Sequence, residues 1–144
     1  MNQNQYTQKS MEAIQRAQAL ATEYGQQTLE QSHLLYALME QQEGLIPQLL
    51  IKMNKDAGQM AAAAMQEIEK LPRVHGQSRE QGKTYVSQEM DRALQQAAKA
   101  AERMRDEYLS VEHLFLGLMA APDRAVKALL QRFDIREADF LAAL

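Results

Sequence analysis

The chain of 144 residues is one unit written twice. Displaced by 80 residues the sequence matches itself without a gap, residues 7–21 (TQKSMEAIQRAQALA) falling on 87–101 (SQEMDRALQQAAKAA) and 33–39 (HLLYALM) on 113–119 (HLFLGLM). The register persists, with Leu49 and Leu50 on Leu129 and Leu130, Met53 on Phe133, Met60 on Phe140, and Ala62 and Ala63 on Ala142 and Ala143. Self-similarity at a fixed period marks a repeated structural unit. Repeat one covers about residues 6–71 and repeat two about 87–144, joined by a linker over 72–86.

Each copy reads as four short helices. Thr7 and Ser87 are natural N-caps, their hydroxyls able to accept from the first-turn amides. Behind them Met11, Ile14, Ala17, Ala21 and Tyr24, and in the second copy Met90, Leu94, Ala97, Ala101 and Met104, recur at helical spacing. Gly25 closes the first helix where a left-handed residue is needed. The second helices, 33–39 and 113–119, are apolar nearly all round and belong at the centre of each copy. The third helices are expected after Gly44 and Pro122, and the fourth after Asn54 and Asp134 as caps, with Leu71 and Pro72 ending repeat one. A unit of this size is marginal alone, so the expectation is an all-α domain of eight short helices, two pseudo-twofold-related four-helix repeats sharing one core. Its seam is the natural place for a groove. Repeat one runs on through Met65, Ile68 and Leu71 past the counterpart of Leu144, which points to a longer parent chain.

Composition removes several function classes. There is no cysteine, which fits a reducing compartment and rules out thiol catalysis and thiolate metal sites. The start, MNQNQYTQKS, lacks a signal-peptide core, and no apolar run is long enough to span a bilayer, so a cytoplasmic, soluble protein without membrane partners is expected. A net charge of -3 with interspersed signs offers phosphate backbones no basic face and argues against nucleic acid. Nine methionines suit either an adaptable binding surface or a helical core.

The chemical motifs are weak. The linker stretch HGQSREQGKT imitates a phosphate-binding loop, but five residues separate Gly76 from Gly82 where that loop has four. Glu30 and His33 have the spacing of a di-iron tetrad; the second copy has Ser110 before His113 and loses the first ligand. Both histidines are better explained as buried rings hydrogen-bonded near a helix start. No nucleophile elbow or triad is present, so no catalytic residue, metal or cofactor is expected in this chain. What remains is a set of apolar residues outside the core stripes, Tyr6, Leu29, Tyr85, Val86, Tyr108 and Leu109. They serve either as seals at helix junctions or as walls of a groove for extended polypeptide.

The residues resemble the N-terminal double-repeat domain of the Clp ATPases over essentially the whole chain. The resemblance rests on Tyr6 and Thr7 before a helix, the passage Gly25, Leu29, His33, Leu34, Leu35, and residues 106–114 (DEYLSVEHL), similar to the family's G-D-x-[YF]-[IVL]-[ST]-x-E-H-L. Residues 71–76 (LPRVHG) look like its disaggregase branch more than its protease-associated branches. Departures are Glu30 and Ser32 where the motif prefers Thr and Glu, and Arg105 where glycine is usual. The resemblance implies a mobile domain above a homohexameric ATPase ring that engages unfolded or aggregated proteins, with ATP and Mg bound only by downstream AAA+ modules and a co-chaperone or adaptor as a further partner. It implies functionally sensitive polar positions at Thr7, Asp106 and Glu112, beside an apolar groove that we assign to Tyr85, Val86, Tyr108 and Leu109. A protease-associated branch uses tandem T-E-H glutamates for phosphoarginine; here only Glu112 remains, with Ser32 at the other place. An adaptor-docking domain of that branch and a free-standing double-repeat protein are the alternatives.

Overall fold

A computed structural model describes residues 5–74 and 84–144. Repeat one contains α1 (Gln8–Glu23), β1 (Thr28–Leu29), α2 (Gln31–Glu40), α3 (Leu45–Lys52) and α4 (Ala57–Lys70). Repeat two follows with β2 (Tyr85–Val86), α5 (Gln88–Arg103), α6 (Val111–Ala120), α7 (Arg124–Arg132) and α8 (Glu137–Ala143). The glycine-lysine-threonine stretch falls largely on residues 75–83, outside the described residues. The described residues form an all-α fold with one two-stranded parallel sheet.

The helices begin where local chemistry allows. Thr7 and Ser87 cap α1 and α5, accepting from the Ser10 and Met90 amides at 3.2 and 2.9 Å, which satisfies donors with no partner inside the helix. Asp56 and Asp123 do the same for α4 and α7. Asn54 and Asp134 are therefore not caps of the fourth helices. With φ of 63° and 53° they are the left-handed residues just past α3 and α7, a conformation that short polar side chains tolerate better than most. Gly25 holds the matching place after α1 at φ 67°, while its counterpart Arg105 adopts φ 58° without a glycine. The chain leaves α4 at Leu71, extended ahead of Pro72.

The apolar central helices sit where their composition puts them. Leu34, Leu35, Ala37 and Leu38 of α2 and Leu114, Phe115, Leu116 and Leu118 of α6 are buried, and one continuous core joins residues of both repeats. Phe115 stacks on Phe140 with ring centroids 4.8 Å apart. Gly117, the counterpart of Ala37, lets α6 approach α5 closely. A Cβ there would lie 2.2 Å from the Ala93 carbonyl oxygen and 2.9 Å from the Ala97 nitrogen.

The two repeats also exchange short arms. β2, which precedes repeat two, pairs with β1 of repeat one in the register Thr28 to Tyr85 and Leu29 to Val86. Reciprocally, Tyr6 ahead of repeat one forms a parallel bridge with Leu109 of repeat two. The Leu109 N–H donates to the Gln5 carbonyl at 2.7 Å and the Thr7 N–H to the Leu109 carbonyl at 2.9 Å. This reciprocity is what a pseudo-twofold relation between the repeats requires.

Candidate functional site

The arm exchange creates two junctions, and the residues singled out from sequence divide between them. At the first, the N–H groups of Tyr85 and Ser87 donate to the carbonyls of Gln27 and Leu29 at 2.7 and 3.2 Å. That fixes a short extended segment with Tyr85 and Val86 turned outward, 55% and 50% exposed. Beside it lies a recess of about 270 Å³ lined by Glu30, Ser32, Glu67, Glu89, Asp123 and Arg124 among others. Burial, then repulsion from Asp123 and Glu89, raises the Glu30 carboxyl above its ordinary range. Asp123 is raised for the same leading reason, burial. Such upward shifts are what carboxylates show when crowded away from water.

The second junction holds Thr7, Asp106, Tyr108, Leu109 and Glu112. The His113 ring is buried and its tautomer is set by its neighbours. Nδ1 accepts from the Ser110 backbone N–H at 2.9 Å, so Nε2 carries the proton and donates to Asp106 Oδ2 at 2.7 Å. Repeat one repeats the arrangement with one change. His33 Nδ1 accepts from the Glu30 N–H at 2.9 Å and Nε2 donates to the Gln26 amide oxygen at 2.6 Å, while Gln26 donates onward to the Ile68 carbonyl at 2.7 Å. Burial pushes the His33 ring down to about 4. Both nitrogens of each ring are occupied, leaving no lone pair for a metal ion.

Two expectations are corrected here. Leu109 is fully buried: its backbone carries the Tyr6 bridge and its side chain is locked into the common core, so it is no groove wall. Leu29, its counterpart, is buried as well. Tyr108 is 54% exposed and keeps its place on the surface. Glu112 is half-buried in the first turn of α6. The Thr7 hydroxyl is committed to its helix, accepting from the Ser10 N–H and donating to the Ser10 hydroxyl at 3.0 Å, and Ser10 Oγ donates to the Leu109 carbonyl at 2.9 Å. Thr7 thus builds the junction rather than presenting a free polar group.

Sequence reasoning passed over Gln31. Its buried amide donates to the carbonyls of Glu89 and Ala121 at 2.8 Å each and accepts from the Asp123 N–H at 2.8 Å, tying α2 to both ends of repeat two's seam. Its mismatch with apolar Val111 at the same place in the other copy was the available signal. The acidic recess was hidden because its carboxylates come from four helices and connections far apart in sequence.

Comparison with known proteins identifies this architecture. The family profile of the Clp repeat N-terminal domain matches residues 5–133. The chain belongs to that family. It is 45% identical over 119 residues to chaperone protein ClpB of Porphyromonas gingivalis, covering 83% of this chain and 13% of that protein. It is 37% identical over its whole length to chaperone protein ClpB of Bacillus cereus, of which it spans 16%. The fold superposes on the Hsp104 N-terminal domain of Candida albicans with a TM-score of 0.80 at 19% identity, covering 96% and 87% of the two chains. The N-terminal domain of ClpD from Arabidopsis thaliana gives 0.72 at 21% identity, covering 99% and 94%. The chain is therefore a Clp N-domain similar to that of the ClpB chaperones, and it spans about one-sixth of the length of those relatives.

Proposed function

We propose that this N-domain is the client-engaging part of an ATP-dependent disaggregase, taking hold of unfolded or aggregated polypeptide and passing it to a homohexameric ATPase ring downstream. The observation that carries the reading is the exposure of Tyr85, Val86 and Tyr108 at the two arm junctions. Aromatic and β-branched side chains left in water beside the seam of a helical domain are the kind of surface that marks partner sites. Asp106, about half-exposed on its side chain, and Glu112 place carboxylates at the rim of the second junction. There they orient Lys- or Arg-flanked apolar segments while contributing little affinity, as exposed ion pairs do. Thr7 and Leu109 serve by shaping the junction.

Because each junction is small, binding by one domain is weak, on the order of micromolar or looser. Six copies on a ring supply avidity. ATP and Mg belong to the downstream modules, and the parent works in the cytoplasm. The test is titration of a permanently unfolded model protein onto the domain. Tyr85→Ser and Tyr108→Ser should each weaken binding several-fold while the thermal midpoint stays put. Unchanged client affinity in the double variant would refute the assignment.

A further inference from the structure

Two recesses meet at the first junction. One, of about 220 Å³, has Thr28, Leu71, Pro72 and Val74 among its walls. The other is the acidic recess of about 270 Å³. Glu30 and Leu71 line both, so the two share a wall. Thr28 is the cross-strand partner of Tyr85, which sets the pair beside the exposed Tyr85 and Val86. The acidic recess holds a group that nothing in the fold satisfies. Ser32 lines it and is 2% exposed, and its hydroxyl has no hydrogen-bond partner among the described residues. A buried hydroxyl in that state calls for a partner. Around it stand the carboxylates of Glu30, Glu67, Glu89 and Asp123 against two cations, Lys70 and Arg124. Lys70 is spent on Glu67 at 3.4 Å, and Arg124 is exposed and forms no ion pair among the described residues. Mutual repulsion adds to burial in raising the Glu30 and Asp123 carboxyls. Helix dipoles account for acids at the starts of α2, α5 and α7, but not for the buried hydroxyl between them.

We propose that these recesses form one site for a lysine-bearing extended segment, the acidic one receiving the ammonium and its neighbour an adjoining apolar side chain. The proposal rests on the reading of the domain as client-engaging and adds the composition of the segment it prefers. A lysine ammonium is a compact charge with three donors on a flexible stem. The acceptors here come from four separate segments, the starts of α2, α5 and α7 and the body of α4, with the Ser32 hydroxyl among them. A rotatable ammonium can satisfy such a set, whereas the planar fork of arginine is matched to a single carboxylate. A bare metal ion is poorly served, since among the described residues no three acidic or histidine side chains are grouped to hold one. The second junction is built differently. The 80-residue register puts Ser110 in the place of Glu30 and Lys9 in the place of Glu89, so the preference for a cation belongs to the first junction.

The test titrates one unfolded model protein in two forms, unmodified and with its lysines acetylated, which removes their charge. The domain should bind the acetylated form on the order of fivefold more weakly. Equal affinity for the two forms overturns the lysine assignment and leaves client binding itself standing. The double variant Glu30→Gln, Glu89→Gln should lose the preference. A control of equal charge change at two exposed acids outside the recess, Glu102→Gln with Glu137→Gln, should keep it. If the control loses the preference too, the effect is diffuse charge and the proposal falls. A second arm uses no client. Adding n-butylammonium chloride to the isotope-labelled domain, against sodium chloride at equal ionic strength, should shift the Ser32 and Asp123 amide resonances and lower the titration midpoint of the Glu30 carboxyl. The amide shifts should vanish in the Glu30→Gln, Glu89→Gln variant. No response at Ser32, or the same response in the variant, overturns the ammonium site. Because this arm needs only the domain and the amine, it stays readable if the client titration fails.

Discussion

In repeat one the buried ring of His33 is held by a neutral amide that is itself tied to the end of α4; in repeat two the same ring position is held by a carboxylate that reaches water. The backbone half of the arrangement, a ring nitrogen accepting from the residue three places earlier, is the same in both. The difference teaches where duplication left freedom. Geometry that starts α2 and α6 is kept, while the group that receives the ring proton follows what each repeat must pack against.

The comparison sharpens most at the helix pairs beneath. Gly117→Ala should cost about 3 kcal/mol or more, since the added Cβ meets backbone and α6 must move off α5; the mirror change in repeat one, Ala37→Gly, should cost only about 1 kcal/mol through propensity. Urea unfolding of both variants checks this, and equal costs would show that the two helix pairs are packed alike. Next in size, Leu109→Ser should destabilise by about 3 kcal/mol, as loss of a buried leucine does, whereas Tyr108→Ser beside it should stay within about 0.5 kcal/mol of the parent.

Acid tests the His33 side of the comparison. The His33 ring is held at about 4 against 6.5 unfolded, so the native state keeps it neutral while the unfolded chain takes a proton. Its contribution is complete above about pH 6.5, is lost as pH falls toward 4, and amounts to on the order of 3 kcal/mol. The raised carboxyls of Glu30 and Asp123 act in the opposite sense, protonating more readily in the folded state as pH falls. Stability measured from pH 7 to 4 should therefore fall, and Gln26→Asp, which gives His33 the partner that His113 has, should flatten the fall. The smallest effect is expected at the turn after α5. Arg105→Gly removes left-handed strain at φ 58° and should stabilise by about 0.5 kcal/mol, whereas Gly25→Ala should do the reverse by a similar amount.

The double repeat, the caps at Thr7 and Ser87 and the burial of α2 and α6 were legible because each is written in local spacing. The arms were not, since two-residue strands have no periodicity to read. Leu109 was misplaced for a related reason: beside Tyr108 it looks like half of an exposed pair, yet the identical Leu29 at the same register was a sign of the common core. Asn54 and Asp134 are good caps by composition, and only φ distinguishes a residue that starts a helix from one that ends the helix before it. Tyr85 and Tyr108 do lie on the surface, but their division between two junctions depends on the arm exchange.

That exchange also dictates an order of events at the ribosome. The strand partner of Tyr6 is Leu109, and that of Leu29 is Val86, so repeat one cannot complete its own edges while it alone has emerged. Nascent repeat one would wait with two unpaired backbone segments exposed until repeat two arrives, and a chain stalled between the repeats should itself look like a client to the chaperones around it.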